Sequence, residues 1–400
     1  MQTTEVASEK RPIAVELAVP KPVIDSTRRA LRPFVAMLIC SAAIAIGLLV
    51  SKIFTGFSGI PYVHLLVNYD FGLIKRALVG AIVALVRPRV GLIDVYVVGL
   101  SVWLVTLVTY LLVFRRTFGF SERTLPLLAI ILSSPCFFKN FMFSIGYFDV
   151  FGCLAALIAL LLPVNLALPL IMGAIACVLL FIHHLHLLLY VPTIGLIVLL
   201  RAMAEGRVSL RTLAFIGAGV TAAVGAVFYF LTFHGSVPVP VDQFTAALRA
   251  RAIDSPQNIG GKLVEIFYTD IAHEIDETMK GLPSNVLRLP VYALLIFLHM
   301  PLISYFRRLV RALSRPLDRA LVVTGLFGIT LGYVIIGAIV FDYPRWVSNW
   351  VVCMILVMHG MRSLPSTQSD LVPIDPTLAR NRWFGLILAL IPRVGINKPF

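Results

Sequence analysis

The stretch PFVAMLICSAAIAIGLLVSKIF (33–54) is long and apolar, and Lys52 near its far end is its only charged residue. A helix needs about 20 such residues to cross roughly 30 Å of hydrocarbon. Similar blocks recur along the 400 residues, of which 59% are hydrophobic and 14% charged. Soluble domains carry about 25% charged residues. The sequence therefore predicts an integral membrane protein.

The blocks predict an all-α fold class, a polytopic transmembrane helical bundle of about ten spanning helices plus an outer-face interfacial helix. The interfacial helix is the stretch LIKRALVGAIVALV (73–86), which opens with two cations and is short for a span. As a span it would invert every later segment, so we interpret it as interfacial or re-entrant. The expected spans are 33–54, 91–114, 124–138, 149–163, 166–182, 187–200, 212–233, 289–306, 320–341 and 347–361.

The Lys and Arg residues of the connections orient this bundle. With the N-terminus in the cytoplasm, the inner segments carry a net charge of +13 and the outer ones +1. This asymmetry is the one that the positive-inside rule predicts. We expect a bacterial inner-membrane protein with both termini in the cytoplasm. Its expected parts are a tail 1–32, the bundle 33–362 with external loops 55–90 and 234–288, and a tail 363–400 with a short apolar surface helix (383–392).

The longer external loop predicts two helices of its own. VDQFTAALRARAI (241–253) reads as a short helix, and IFYTDIAHEIDETMKGLP (266–283) as an acidic one. Gly281 and Pro283 are typical of a helix end, so we expect the second helix to stop there. The five cysteines of the chain form no CxxC pair, which disfavours a zinc or redox motif.

Four polar clusters interrupt the apolar blocks, and the expected topology puts all four on the outer face. Ionisable residues at membrane depth are costly, so each cluster marks a candidate site. The first is NYDFGLIKR (68–76). Asp70 could be a carboxylate at the mouth of a cavity, with Lys75 and Arg76 placed to meet a phosphate. An aspartate in this position is equally typical of a helix N-cap.

The second and third clusters lie where further spans begin. In FKNFMFSIGYFDVFG (138–152), Asp149 opens a span within aromatic residues that are also typical of an interfacial belt. In IHHLHLLLYVP (182–192), His183 and His186 are i,i+3 neighbours on one helical face, and His184 is expected to point elsewhere. Such a pair can act as acid or base, can bind a metal, or can be interfacial histidines of a tight turn.

The fourth cluster is FDYPRWVSNW (341–350), a very short turn between two spans. Arginine suits a bidentate contact with phosphate, and a neighbouring tryptophan could stack on a sugar or an isoprenoid. An ion pair between Asp342 and Arg345 within the turn is the structural alternative. The substrate-binding candidates of this cluster are Asp342, Tyr343, Arg345 and Trp346.

This outline resembles the membrane-embedded glycosyltransferases of the GT-C class. The shared features are a polytopic bundle, a first external loop with an acidic residue before an interfacial helix, and a larger late external loop. The resemblance covers architecture over about 30–350, and bacterial polysaccharide polymerases have a similar outline. It implies a polyprenyl-phosphate-linked sugar as donor and a glycan or lipid as acceptor. The class often has an acidic pair in its first loop, whereas this chain offers only Asp70.

The resemblance also implies roles for the candidate residues. Asp70 would be the general base or would orient the acceptor, and Arg345 would contact the donor phosphate. Asp149 with His183 or His186 would belong to the catalytic pocket. These residues indicate no specific cofactor, and the use of a divalent cation stays open.

Two other function classes stay open beside the enzyme. A transporter or flippase would place charges near the bilayer midplane, in broken helices from paired repeats, and the spans are nearly free of charge. A non-enzymatic envelope assembly factor would need none of the candidate residues. The net charge of +14 fits contact with anionic membrane lipids rather than a nucleic acid partner.

Overall fold

The computed structural model describes residues 21–55, 59–206, 208–269, 271–340, 342–367, 378 and 381–394. Of the described residues 78% are helical, and no strand occurs among them. The first half of the chain forms α1 (Lys21–Thr55), α2 (Gly59–Leu66), α3 (Leu78–Val86), α4 (Leu92–Phe118), α5 (Leu125–Ser133), α6 (Phe138–Phe143), α7 (Asp149–Leu161), α8 (Ala167–Ile182), α9 (His186–Leu189) and α10 (Val191–Glu205). The second half forms α11 (Leu210–Phe233), α12 (Val241–Arg251), α13 (Lys262–Glu265), α14 (Ile271–Val286), α15 (Leu289–Leu298), α16 (Met300–Ala312), α17 (Pro316–Ile339), α18 (Tyr343–Met361) and α19 (Arg382–Leu390).

Six helical segments of the described chain are long and apolar enough to cross a membrane, or seven if the bent pair α15–α16 counts as one span. Several such helices indicate a multi-pass membrane protein. The expected count of ten is not confirmed. The expected spans 149–163 and 166–182 correspond to α7 and α8, with 13 and 16 residues. At 1.5 Å per residue these helices are about 20 and 24 Å long, which is short of the hydrocarbon thickness.

Burial separates central from peripheral helices. In the segment formed by α5 and α6, 89% of the residues of its apolar stretch are buried, whereas the share is 11% in α11, which packs chiefly on α8. Large apolar side chains stay exposed along α1, α4, α11 and α17. Exposed apolar surface of this extent is costly in water and favourable in lipid. These four helices therefore form the outer wall of the bundle.

Two ends of the bundle can be distinguished by what they hold. One end, which we call the loop end, carries α2, α3 and α12, and Val90 and Ala252 form a parallel bridge there. At the other end, Arg116 donates to the carbonyl of Leu161 at 2.6 Å, and Arg201 donates to that of Ala159 at 2.5 Å. We call it the arginine end. Although short, α7 runs from one end to the other.

Helix α3 begins and ends at the loop end and does not span. The backbone amide of Lys75, just before it, donates to the carbonyl of Gly235 at 2.9 Å. That of Val90, just after it, donates to the carbonyl of Arg251 at 2.8 Å. Gly80 lets α3 pack closely on the end of α2, since a Cβ there would lie 1.9 Å from the carbonyl oxygen of Val67. Nine residues reach about 13 Å, as expected for an interfacial or re-entrant helix.

The predicted start of this helix is wrong by five residues. Leu78 is its first residue, whereas the sequence predicts Leu73, so Lys75 and Arg76 lie before the helix. Arg76 has a φ of 65°, in the left-handed region, which interrupts any right-handed helix there. Of the loop helices, 241–253 is confirmed as α12. The acidic helix α14 continues through Gly281 and Pro283 to Val286, so its predicted end is also wrong.

The terminal segments differ from simple tails. Helix α1 already begins at Lys21, within the expected tail 1–32, of which residues 1–20 lie outside the described part. The C-terminal helix α19 packs against α1, α5 and α15, with Leu388 and Ala389 buried. The ammonium of Lys139, itself 1% exposed, donates to three carbonyl oxygens at the end of α19. The short apolar helix is thus a packed element of the bundle.

Candidate functional site

The centre of the candidate site is a buried ion pair at the loop end. Arg345, in the first turn of α18, donates from Nη2 to Oδ1 of Asp149 at 2.9 Å and from Nε to Oδ2. The Asp149 side chain is 2% exposed and that of Arg345 15%. This is a bidentate pair, the strong form of a charged hydrogen bond. It joins the second and fourth polar clusters of the sequence.

Helix ends explain why this carboxylate is tolerated. Asp149 is the first residue of α7, and the amide groups of a helix N-terminus favour a negative charge. Asp342 places a second carboxylate near the same guanidinium, with Oδ2 3.5 Å from Nη1 of Arg345. The Asp342–Arg345 ion pair, given above as the structural alternative, is therefore present, but the bidentate partner of Arg345 is Asp149.

Aromatic rings surround the guanidinium of Arg345. Its Cζ lies 5.0 Å from the ring centroid of Tyr147 and 4.9 Å from that of Trp346, which are cation–π distances. The indole of Trp346 is 3% exposed and donates to the carbonyl of Val340 at 2.8 Å. It therefore holds the turn and is closed to a stacking ligand. Tyr343, the first residue of α18, is half-buried.

Two residues that sequence reasoning missed complete the surroundings of the Asp149 carboxylate. The side chain of Asn349 faces it, and the Tyr190 hydroxyl donates to Oδ1 of Asn349 at 2.8 Å. Gly152, one turn along α7, gives Tyr190 its room, because a Cβ there would lie 2.3 Å from the ring. Sequence position offers a signal only for Asn349, which follows Arg345 by one helical turn.

Four histidines lie buried at the loop end, and three of them, His64, His183 and His186, are within electrostatic range of Arg345. The ring centroids of His183 and His184 are 5.5 Å apart, and those of His183 and His186 are 6.0 Å apart. His64 of α2, absent from the sequence candidates, stacks on Phe148 at 4.6 Å. Two distant parts of the chain thus contribute histidines to the loop-end site: α2 contributes one and the segment 183–186 contributes three.

The expected helical face for His183 and His186 is wrong. Helix α8 ends at Ile182, and His183 has an extended backbone with φ −160°. His186 begins the next short helix, so the chain breaks between the two residues. His184, expected to point elsewhere, is buried beside His183. A break in the helix, which apolar periodicity does not reveal, brings all three rings inward.

Two arginines act on this histidine cluster. Arg76 and Arg345 both lie within electrostatic range of His64 and of His183. Burial first, and then these two cations, lower the pKa of His64 well below its ordinary value. His64 is therefore neutral at physiological pH. The first, third and fourth polar clusters meet at this point.

Lys75 and Asp70, the other charged residues of the first polar cluster, have hydrogen-bond partners of their own. The Lys75 ammonium donates to the carbonyl of Thr269 at 2.8 Å, so it ties the long loop to the bundle. Asp70 is exposed in a short 3-10 turn, Tyr69–Phe71. The Asn68 side chain donates to the Asp70 carboxylate at 2.7 Å and accepts from the Asp70 amide at 3.2 Å. Asn68, and not Asp70, is the N-cap of this turn.

The described residues hold no group of three His, Cys, Asp or Glu side chains that could bind a metal ion. They do bring together two arginines, Arg76 and Arg345, the carboxylate of Asp149 and buried imidazoles. The exposed carboxylate of Asp70 lies at the same end of the bundle. Such a set can bind an anion and move a proton. Comparison of the chain with family models, with curated proteins and with solved structures finds no match.

Proposed function

We propose that the protein is a membrane-embedded glycosyltransferase of the bacterial cell envelope that takes its sugar from a polyprenyl-phosphate-linked donor at the loop end. The observation that carries the proposal is the buried loop-end cluster itself, in which Arg345 is held in a bidentate pair by Asp149 and buried Arg76 lies within electrostatic range of the same buried histidines, His64 and His183. Departure of a lipid phosphate builds negative charge on its oxygens, and preorganised guanidinium groups stabilise that charge.

Asp70 supplies the second requirement, a base for the acceptor hydroxyl. Its carboxylate is exposed, so an acceptor can reach it, and Asn68 fixes its orientation. A carboxylate in this setting can orient the hydroxyl and take its proton as the glycosidic bond forms. Asp149 is held by Arg345 and so serves to position that cation.

The bilayer geometry follows from the charge distribution. Under the positive-inside rule the arginine end faces the cytoplasm, which puts the N-terminus inside and the loop end outside. The exposed apolar walls of α1, α4, α11 and α17 leave the donor's isoprenoid tail in lipid while its phosphate reaches the loop end. The acceptor, a glycan or a lipid, approaches from the outer aqueous side.

The test is a product assay on three single variants in cells that lack the native protein. We expect Asp70→Asn, Arg76→Gln and Arg345→Lys to insert normally and to lose the envelope glycan or glycolipid that deletion also removes. Glu265→Gln, an exposed carboxylate at the loop end, is the control and should keep the product. If the three variants keep the product as well, the enzyme proposal is wrong.

A proton-coupled transporter is the second candidate, and one observation favours it. Buried acid, arginine and histidine side chains in a bundle are typical of proton relays, and Asp149, Arg345 and His186 form such a group. In that case Asp149→Asn would abolish substrate-driven proton uptake in proteoliposomes. The glycan profile would stay as in the wild type for Asp70→Asn, which separates the two candidates.

A further inference from the structure

One face of the bent pair α15–α16 changes from apolar to cationic along its length. The two helices meet at an angle of 65°. On α15, Leu294 and Phe297 are 58% and 54% exposed, and on α16 Ile303 is 39% exposed. Farther along, Arg307 and Arg311 are exposed too. Spacings of three and four residues put these side chains on one side of each helix.

Packing on the opposite side of α16 fixes the direction in which the arginines point. Leu302, Tyr305 and Leu309 are buried against the bundle, so the cationic side of this amphipathic helix faces outward. Within the described part of the chain, Arg307 and Arg311 make no ion pair. Asp318 is the only acidic residue between 307 and 319, and it is buried.

This profile matches the shape of a lipid lying along the protein. Acyl chains pack on exposed apolar side chains, and a phosphate binds guanidinium groups at the boundary between hydrocarbon and water. Basic side chains at this boundary favour an anionic headgroup over a zwitterionic one, which carries no net charge.

We propose that this face is a binding site for an anionic glycerophospholipid. Its phosphate is held by Arg307, Arg311 and the exposed Arg315 just beyond α16. Its chains lie along Leu294, Phe297 and Ile303. The site lies at the arginine end, apart from the loop-end cluster, and it does not depend on the proposed glycosyltransferase activity.

The experiment measures lipid binding to the purified full-length protein by native mass spectrometry. The probes are dioleoyl phosphatidylglycerol and dioleoyl phosphatidylcholine. The site variant combines R307Q, R311Q and R315Q. The control variant combines R123Q, R211Q and K262Q, which removes the same charge from exposed positions elsewhere. Size-exclusion chromatography and thermal unfolding check that both variants are folded.

Each basic residue near an anionic lipid surface contributes about a five-fold gain in affinity. We therefore expect the site variant to bind phosphatidylglycerol on the order of a hundred-fold more weakly than the wild type. The control variant should bind it as the wild type does, and phosphatidylcholine binding should be unchanged in both. Equal losses in the two variants would mean that overall charge, and not this face, attracts the lipid. No loss in either would overturn the site as well.

Discussion

Replacing Lys139 by Met tests the attachment of the C-terminal helix to the bundle. The ammonium donates to the carbonyl oxygens of Leu388, Ala389 and Ile391 at 2.8, 3.0 and 2.7 Å. Hydrogen bonds from a charged group contribute about 1.5 to 3 kcal/mol each. Burial of an ammonium costs several kcal/mol in return. We expect Lys139→Met, which keeps the apolar stem, to lower the free energy of unfolding by about 3 kcal/mol.

A chain that ends at Asn381 gives the matched background, because it lacks α19 and its carbonyl groups. In that background the Lys139 ammonium has lost these three acceptors, so the same substitution should be neutral or stabilising. Unfolding by denaturant in mixed micelles measures all four proteins, and the difference between the two effects is the coupling between Lys139 and α19. Lys262→Met, at an exposed position, is the control. Equal losses with and without α19 would refute the coupling.

Three further predictions concern the loop-end site. Since burial lowers the pKa of His64 in the folded protein, its contribution to stability is complete above about pH 6.5, the ordinary pKa of histidine, and is lost as the pH falls below that value. His64→Gln should make the fall of the melting temperature below pH 6.5 less steep, as measured by thermal unfolding at a series of pH values. Gly152→Ala should cost about 1–3 kcal/mol because its Cβ would meet a buried tyrosine ring, whereas Gly195→Ala, with open space, should stabilise slightly. Arg345→Gln should cost about 3–5 kcal/mol by leaving a buried carboxylate unpaired, and adding Asp149→Asn should restore part of it; equal stability of the single and double variants would contradict this reading of the pair.

Helix existence was predictable where a single physical property decides it. The lengths and apolar character of 33–54, 91–114, 212–233 and 320–341 are enough to predict α1, α4, α11 and α17, since lipid exposure depends on each helix alone. The number of spans was harder to predict from the sequence. Helices such as α7 are short and buried among their neighbours, so their length is set by packing and not by bilayer thickness.

The convergence of polar clusters at one end was predicted from the alternation of spans, but their partners were not. Arg345 could pair within its own turn or across the bundle, and the sequence contains no signal that selects Asp149. His64 was missed because one histidine in an apolar stretch resembles an ordinary core residue. Lys139 was visible as a lysine in an aromatic stretch, yet its partners are backbone carbonyl groups of α19, which have no sequence signature.

The two ends of the bundle satisfy their arginine side chains by opposite means. At the arginine end, Arg116 and Arg201 donate to carbonyl oxygens where α7 ends, and a helix C-terminus favours a cation. These arginines donate to carbonyl oxygens that have no partner within the helix, so their hydrogen bonds need no ligand. At the loop end, Arg345 is paired instead with Asp149, a carboxylate at a helix N-terminus, which holds the guanidinium in place for the proposed donor phosphate. Substitution of Arg116 or Arg201 should therefore lower stability alone, whereas substitution of Arg345 should change binding as well.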